Sequence, residues 1–518
     1  MLTWNLGDLF EGVAEAVGDR EAIVAGDVRL SFQQLDERVN RLANALVSLG
    51  VREHDHVGLA MRNSHEYLEA TLAAFKIQAV PVNVNTRYTT DEMRHVLVDA
   101  SVGVVIHDPE LEARLQQATP EIKRLQRGEQ YERTVASSSA QRPIRERSGE
   151  DLYVLYTGGT TGMPRGVVWR HEDLLFAALG AGNPGGEPVS TPEEVVHHAR
   201  AGRKRCLPAS PLTHGTAHWS ALSTLLNGGT VIIDLSTTFN APRLLDLADS
   251  EHVTTLAIVG DAFGRPLASA LSDQPERWAL DDLLVILSGG AALSPGVREE
   301  LLMSLPWVVV VDGYGTSETG SQGQMPVWAG QPQSGLPRFH VDENTTVLDD
   351  AGRPAPPGSG IIGRLAKKGR LPLGYLNDPV RSAQTFVEMD GQRWAIPGDL
   401  ARVEADGSIT LLGRGSSSIN TGGEKVFAEE VELTLKELPE VFDAVVVAVP
   451  DERFGQRVAA VVSARPGSEI DLAKLDAHCR EALAAFKVPR RVVVVDQIVR
   501  RPSGKTDLAW ATRTAMES

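Results

Sequence analysis

The sequence predicts an α/β protein: two parallel α/β subdomains, about 1–150 and 151–330, then a small β-barrel, then a smaller α+β region. Three observations carry this. Apolar runs of strand length alternate with helical periodicity between His56 and His107, and again from Asp151, as in parallel sheets with crossover helices. From Gln331 to Gly413 the texture becomes short β-rich runs broken by Gly and Pro, which predicts a small barrel. After Gly413 a few strands and helices form a compact α+β pattern.

Each element has a local reason. Ser31 and Gln34 form a capping box, and Leu35, Val39, Leu42, Leu46 and Leu49 recur at helical spacing before Gly50, where a helix stops. Strands are predicted at His56–Met61, Ala79–Val84 and Val102–His107, with helices at His65–Gln78 and Thr90–Ala100. The charged, Ser-rich stretch Glu110–Glu150 predicts partial helix ending in a linker. Strands are then predicted at Leu152–Thr157, Arg205–Ala209, Thr230–Leu235, Val253–Val259, Leu283–Leu287 and Trp307–Val311, with helices at Gly215–Leu226, Pro242–Ser250 and Pro295–Ser304. The last region predicts helix Glu429–Leu438, strands Val441–Val449 and Val458–Ala464, helix Leu472–Phe486 and strand Arg491–Val495.

Composition narrows the function. At 518 residues the chain exceeds one compact core. A formal charge of −17 argues against nucleic acid and anionic lipid as partners. Two distant cysteines, Cys206 and Cys479, build neither a disulfide framework nor a Cys-rich zinc site. Without a secretory signal at Met1–Asn5 or a membrane-length apolar run, a cytoplasmic location is expected. Self-association as a homodimer stays open.

The chemistry gathers in glycine- and hydroxyl-rich turns after predicted strands, where open parallel sheets bind ligands. The first runs Tyr156-Thr157-Gly158-Gly159-Thr160-Thr161-Gly162-Met163-Pro164-Arg165-Gly166. Glycines let amides face a phosphate, threonines add hydroxyls, and Arg165 adds a planar cation. It is not a Walker A loop, since Met163 stands where that motif needs lysine. Further turns are Ser288-Gly289-Gly290-Ala291 and Asp312-Gly313-Tyr314-Gly315-Thr316-Ser317-Glu318. Later come Gly398-Asp399, Arg414, the Ile419–Val426 segment with Gly422-Gly423, and Pro502-Ser503-Gly504-Lys505.

Taken in order, these motifs resemble those of the adenylate-forming superfamily: acyl-CoA synthetases, luciferases and peptide-synthetase adenylation domains. The resemblance spans nearly the whole chain. Its usual loop carries Ser-Gly and Lys where Gly158 and Arg165 stand here. It implies an AMP-forming acyl-CoA ligase that uses ATP, coenzyme A and a carboxylic acid, with Mg²⁺ on Glu318. It implies that 157–162 and Arg165 hold phosphates, that 288–291 and Asp312–Gly315 border the nucleotide, and that Tyr314 stacks on adenine. Thr316 would contact the α-phosphate, Asp399 with Arg414 nearby the ribose, and Lys505 the reacting phosphate. It further implies a domain of residues 1–413, a hinge at 414–417 falling on Ser416, and a mobile domain of 418–518 whose Gly422-Gly423 loop serves the CoA step. His214, with Trp219 close by, would border the acyl pocket. The 169–173 and 419–426 segments look most like actinobacterial fatty-acid ligases, some of which act on steroid side-chain carboxylates.

Rival readings are weaker. An adenylating enzyme that loads a carrier-protein phosphopantetheine shares the first half-reaction. A catalytically silent nucleotide binder would not need a lysine at 505. Gly180–Gly185 matches a dinucleotide fingerprint but follows a predicted helix, and His214 with His218 lack a third zinc ligand.

Overall fold

The computed structural model describes residues 2–158, 163–331, 336–415, 418–421, 424–451, 454–500 and 505–517. Two large sheets make up the first four-fifths of the chain. The seven-stranded sheet is built on parallel strands Lys123–Gln126, Val104–His107, His56–Ala60, Val80–Asn83 and Leu152–Thr157, and ends in antiparallel Arg165–Arg170 and Gly374–Tyr375. The fifteen-stranded sheet has a parallel half, in order Val309–Thr316, Val285–Gly289, Thr255–Ile258, Arg205–Pro208, Thr230–Ile232 and Glu21–Ala25.

The sheets exchange segments. Strand Glu21–Ala25 joins the sheet otherwise built after residue 200, through Ile23 opposite Val231. Strand Leu152–Thr157 joins the earlier sheet, through Val154 opposite Val82, rather than opening the second unit. Helix Phe32–Ser48 carries the expected capping box, with Ser31 and Gln34 bonded reciprocally, and buries Leu35, Val39, Leu42 and Leu46.

The β-rich region departs from the expected barrel. Strands Gly320–Val327, Arg338–Val341, Ile409–Arg414, Asp399–Val403 and Ile362–Lys368 run antiparallel in turn, continuing the large sheet edge to edge. The ladder ends at Gln392–Ala395 and Phe386–Met389, and among the described residues no pairing closes it. The ladder is thus anchored to the parallel half through Gly320–Val327 instead of by ring closure.

The last region is a five-stranded sheet built on the long pair Val441–Asp451 and Gly455–Ala464, with parallel Arg491–Val495 and the hairpin Ile419–Thr421/Glu424–Val426 both on the outer edge of Gly455–Ala464, at its two ends. Helices Ala428–Lys436 and Leu472–Ala482 pack with one face of this sheet, and Leu508–Glu517 with the other. No helix among the described residues is long and apolar enough to cross a membrane.

Candidate active site

The first loop proves to be the tip of a hairpin: Thr157 ends one strand and Arg165, directly opposite it, begins the next. Residues 159–162, and with them Gly159, Thr160, Thr161 and Gly162, lie outside the described residues. At the hairpin foot His95 Nε2 sits 2.9 Å from the Pro164 carbonyl oxygen, and Arg165 lies 3.8 Å from Asp378. Inside the sheet, Asn83 donates to the carbonyls of Tyr156 and Thr213, both at 2.8 Å, and accepts from Tyr156 N–H at 2.6 Å. One side chain therefore fixes the loop's base to the turn that carries His214.

From the other sheet, strands Val285–Gly289 and Val309–Thr316 run parallel with Ser288 opposite Asp312 and Gly289 opposite Gly313, so their carboxyl ends open side by side. Gly290 has φ +86°, and a Cβ there would stand 3.2 Å from Thr216 Oγ1, so only glycine lets this turn lie against helix Gly215–Leu226. Thr316 ends its strand. Its hydroxyl lies 3.0 Å from that of Thr319 and accepts from Glu318 N–H at 3.2 Å. Tyr375, on the last strand of the seven-stranded sheet, donates its hydroxyl to Glu318 Oε1 at 2.9 Å, while Trp169 donates to the Ser317 carbonyl at 3.0 Å. The two sheets thus meet at the Thr316–Glu318 turn.

Asp399 and Arg414 face each other across paired strands, with Nε 3.4 Å from Oδ1. Tyr314 lies against this pair, its ring centroid 5.7 Å from that of Phe339. Asp399 Oδ2 and Tyr314 Oη are buried side by side, and among the described residues neither meets a well-aligned hydrogen-bond partner beyond the other. A carboxylate oxygen held in that state suits a ligand hydroxyl. Burial pushes the Asp399 carboxyl above its ordinary value against the pull of Arg414, and pushes the Tyr314 phenol up as well.

Asp312 does not turn into this mouth. Its carboxylate is buried against Arg298, 3.0 Å away, and burial lifts its pKa to about 7 in spite of that partner. His214 precedes helix Gly215–Leu226 and is half-buried, with its Nε2 buried and unpartnered among the described residues. Burial, then the charges of Lys505 and Arg87, bring its pKa down to about 4, so the imidazole is neutral. Lys505, exposed, lies near enough for its charge to reach His214. Trp219, one turn along the helix, meets Trp169 edge-on with centroids 6.4 Å apart. His218 is no metal ligand: Nδ1 lies 3.0 Å from Tyr153 Oη and Nε2 3.3 Å from Thr71 Oγ1, deep in the core. The Gly180–Gly185 turn follows helix His171–Ala178, which removes the dinucleotide reading. Ser416, Gly422 and Gly423 lie outside the described residues.

Strand pairings and contacts tie Thr157, Arg165, Thr316, Glu318, Tyr314, Asp399 and Arg414 together at the strand tips, with Gly289 and Gly290 on the adjoining turn and His214 near the charge of Lys505. Asn83 and Tyr375 were not legible as site residues. Each is a single polar residue in an ordinary strand, with no motif to mark it.

Comparison with known proteins agrees. The profile of the AMP-binding enzyme family matches residues 10–376, and that of the AMP-binding enzyme C-terminal domain matches residues 430–505. A medium/long-chain-fatty-acid–CoA/3-oxocholest-4-en-26-oate–CoA ligase of Mycobacterium marinum is 41% identical, covering 98% of this chain and 96% of its own. A 3-oxocholest-4-en-26-oate–CoA ligase of Rhodococcus rhodochrous is 40% identical over 98% of this chain and 95% of its own. Among solved structures, ATP-bound MatB from Rhodopseudomonas palustris superposes with a TM-score of 0.82 at 26% identity, covering 99% of both chains.

Proposed function

Since the chain belongs to the AMP-binding enzyme family, we propose that it is an AMP-forming acyl-CoA ligase acting on medium- or long-chain fatty acids or steroid side-chain carboxylates. The observation that supports this best is that the hairpin foot, the Thr316–Glu318 turn and the Asp399–Arg414 pair stand together at the strand tips, with neutral His214 within reach of the Lys505 charge.

The reaction follows from the groups present. A carboxylate oxygen attacks the α-phosphorus of ATP, the bond to the bridging oxygen breaks, and pyrophosphate leaves. The product is a mixed anhydride with AMP. Negative charge builds on the phosphates, and Arg165, the glycine-rich loop and Lys505 would stabilise it. Asp399 would accept the ribose hydroxyls, Tyr314 would lie along adenine, and Ser288–Ala291 and Asp312–Gly315 would border the base through their backbone. Glu318 and the Thr316 hydroxyl form a set of hard oxygens that suits Mg²⁺, with Tyr375 orienting the carboxylate. Bound there, the ion would offset triphosphate charge. The thiol of coenzyme A, losing its proton, then attacks the acyl carbon and AMP leaves.

We assign residues 1–413 to the large domain, 414–417 to a hinge on Ser416, and 418–518 to the mobile domain that presents Gly422-Gly423 for the thioester step. The reaction has a cytoplasmic setting, consistent with two buried, unpaired cysteines. The test is an assay with ATP, Mg²⁺ and a panel of fatty and steroid acids, with and without coenzyme A. Acid-dependent pyrophosphate release and acyl-CoA formation are expected. Pyrophosphate release with no thioester would point to a carrier protein as acceptor, and no pyrophosphate with any acid would end the reading.

A further inference from the structure

Where the small domain rests on the large one, a line of buried charges runs from the nucleotide turn to the neighbour of Lys505. It begins at Asp261, on helix Gly260–Asp273, which is tied to the turn after strand Val285–Gly289. Ser294 N–H donates to Asp261 Oδ1 at 2.7 Å, Asp261 N–H donates to the Ala292 carbonyl at 3.0 Å, and Gly260 N–H donates to Ser288 Oγ at 3.2 Å. Across the domain boundary, Lys436 Nζ at the end of helix Ala428–Lys436 reaches Asp261 Oδ2 at 3.2 Å and Asp443 Oδ1 at 3.6 Å. Asp443 accepts from Arg500 Nε and Nη2, one edge of the guanidinium, at 2.7 to 3.0 Å. Arg500 in turn bridges Thr506, the residue after Lys505.

Both carboxylates and the ammonium are out of water. The side chains of Lys436 and Asp261 are only 8% and 4% exposed. Burial alone would raise the Asp261 carboxyl, but Lys436, Arg265 and Ser294 outweigh it and hold the pKa at about 2. A buried charge stripped of its partner is costly, so this pair favours one seating of the small domain strongly over any that parts it. Arg265 adds to that seating, with its guanidinium 5.3 Å from the centre of the Phe442 ring.

We infer that Lys436 is a positioning residue for the adenylation half-reaction: its contact with Asp261 seats the small domain so that Lys505 meets the α-phosphate, and the Asp443–Arg500–Thr506 chain carries that seating to the lysine. Lys436 touches neither substrate nor reacting atoms. Its effect falls on the half-reaction that needs Lys505 in place, not on the thioester step. The inference rests on the ligase reading above.

The test compares two rates in full-length Lys436→Met and Asp261→Asn variants. One is ATP–pyrophosphate exchange with a saturated medium-chain fatty acid. The other is thioester formation from the synthetic acyl-adenylate and coenzyme A. Both variants should lose about tenfold or more in the exchange rate at saturating ATP, the scale on which a severed buried ion pair is felt. The KM for ATP should hold, and the thioester rate should stay within about twofold of the unaltered protein. Glu300→Ala removes the more open contact with Arg465, 2.6 Å long at the rim of the same boundary, and should leave the ratio of the two rates unchanged. If Lys436→Met fails to fold, Asp261→Asn decides, since its amide oxygen still accepts from Ser294 and Lys436 keeps Asp443. Equal loss of both half-reactions, no loss of either, or the same shift in Glu300→Ala would overturn the inference. Absence of exchange in the unaltered protein would instead strike the ligase reading.

Discussion

Asp399 shows how much a single residue's surroundings decide. Its carboxylate is nearly sealed from water, faces Arg414 at 3.4 Å, and still keeps one oxygen with no well-aligned partner beyond Tyr314 among the described residues. A pair of ribose hydroxyls would complete that shell. Asp399→Asn should therefore raise the KM for ATP about tenfold or more, the worth of a hydrogen bond to a buried charge, while the KM for the acid moves little. Steady-state kinetics with each substrate varied in turn will show whether the loss is confined to the nucleotide. His214 makes the complementary case. With its pKa near 4, the folded protein keeps the ring neutral across the working range. The pH profile of adenylation should carry no inflection near 6.5 from this residue, and His214→Phe should alter acid preference while leaving the shape of the profile intact.

At the scale of elements, helix Ala428–Lys436 comes so close to strand Ile409–Arg414 that a Cβ on Gly413 would fall 2.2 Å from Glu429 Oε2, and Gly413 also has φ +106°. Burial, then Glu432 and Asp399, lift the Glu429 carboxyl to about 8. The folded chain keeps that proton where the unfolded chain, near 4.5, has lost it, so stability from this group is full at low pH and drains away as pH rises from about 4.5 through 8. Glu429→Gln cannot ionise. It should flatten the fall in melting temperature between pH 6 and pH 8.5 and gain on the order of 1 kcal/mol at the alkaline end. Elements with strong local signals were legible. The capping box at Ser31, the apolar stripe Leu35–Leu46 and the helix Gly215–Leu226 stand where periodicity put them. Helix Gly260–Asp273 was not, because Gly260, Gly264 and the internal Pro266 all argue against helix, and tertiary packing of Phe263 and Leu267 outweighs them. Nor could periodicity say which sheet a strand joins. Periodicity predicts Leu152–Thr157 as a strand and not Glu21–Ala25, and only long-range pairing decides the sheet that each joins.

For the whole molecule, the glycine-rich turns and Lys505 announce themselves as motifs, whereas the residues that bring them together do not. Asn83, Tyr375, Asp261 and Lys436 are lone polar residues in regular elements, and their meaning lies in contacts made across sheets and domains. On the proposed ligase reading, what they would assemble is a site shared by two bodies, with the ribose carboxylate and candidate metal ligands on the large one and a terminal cation on the small one. The chemistry asks different things of that cation in its two steps. While pyrophosphate departs, an ammonium beside the α-phosphorus lowers the barrier directly. Once the anhydride exists, on the same reading that side chain would stand in the way of the incoming thiol. Lys505→Ala should therefore lose about a hundredfold or more in acid-dependent ATP–pyrophosphate exchange, a scale typical of removing one preorganised charge, yet convert a supplied acyl-adenylate and coenzyme A to thioester at close to the unaltered rate. Measuring both half-reactions on one preparation removes folding as an explanation, since a misfolded protein loses the two together. A matched decline would show that Lys505 serves as a structural prop rather than a reactant in the first step alone.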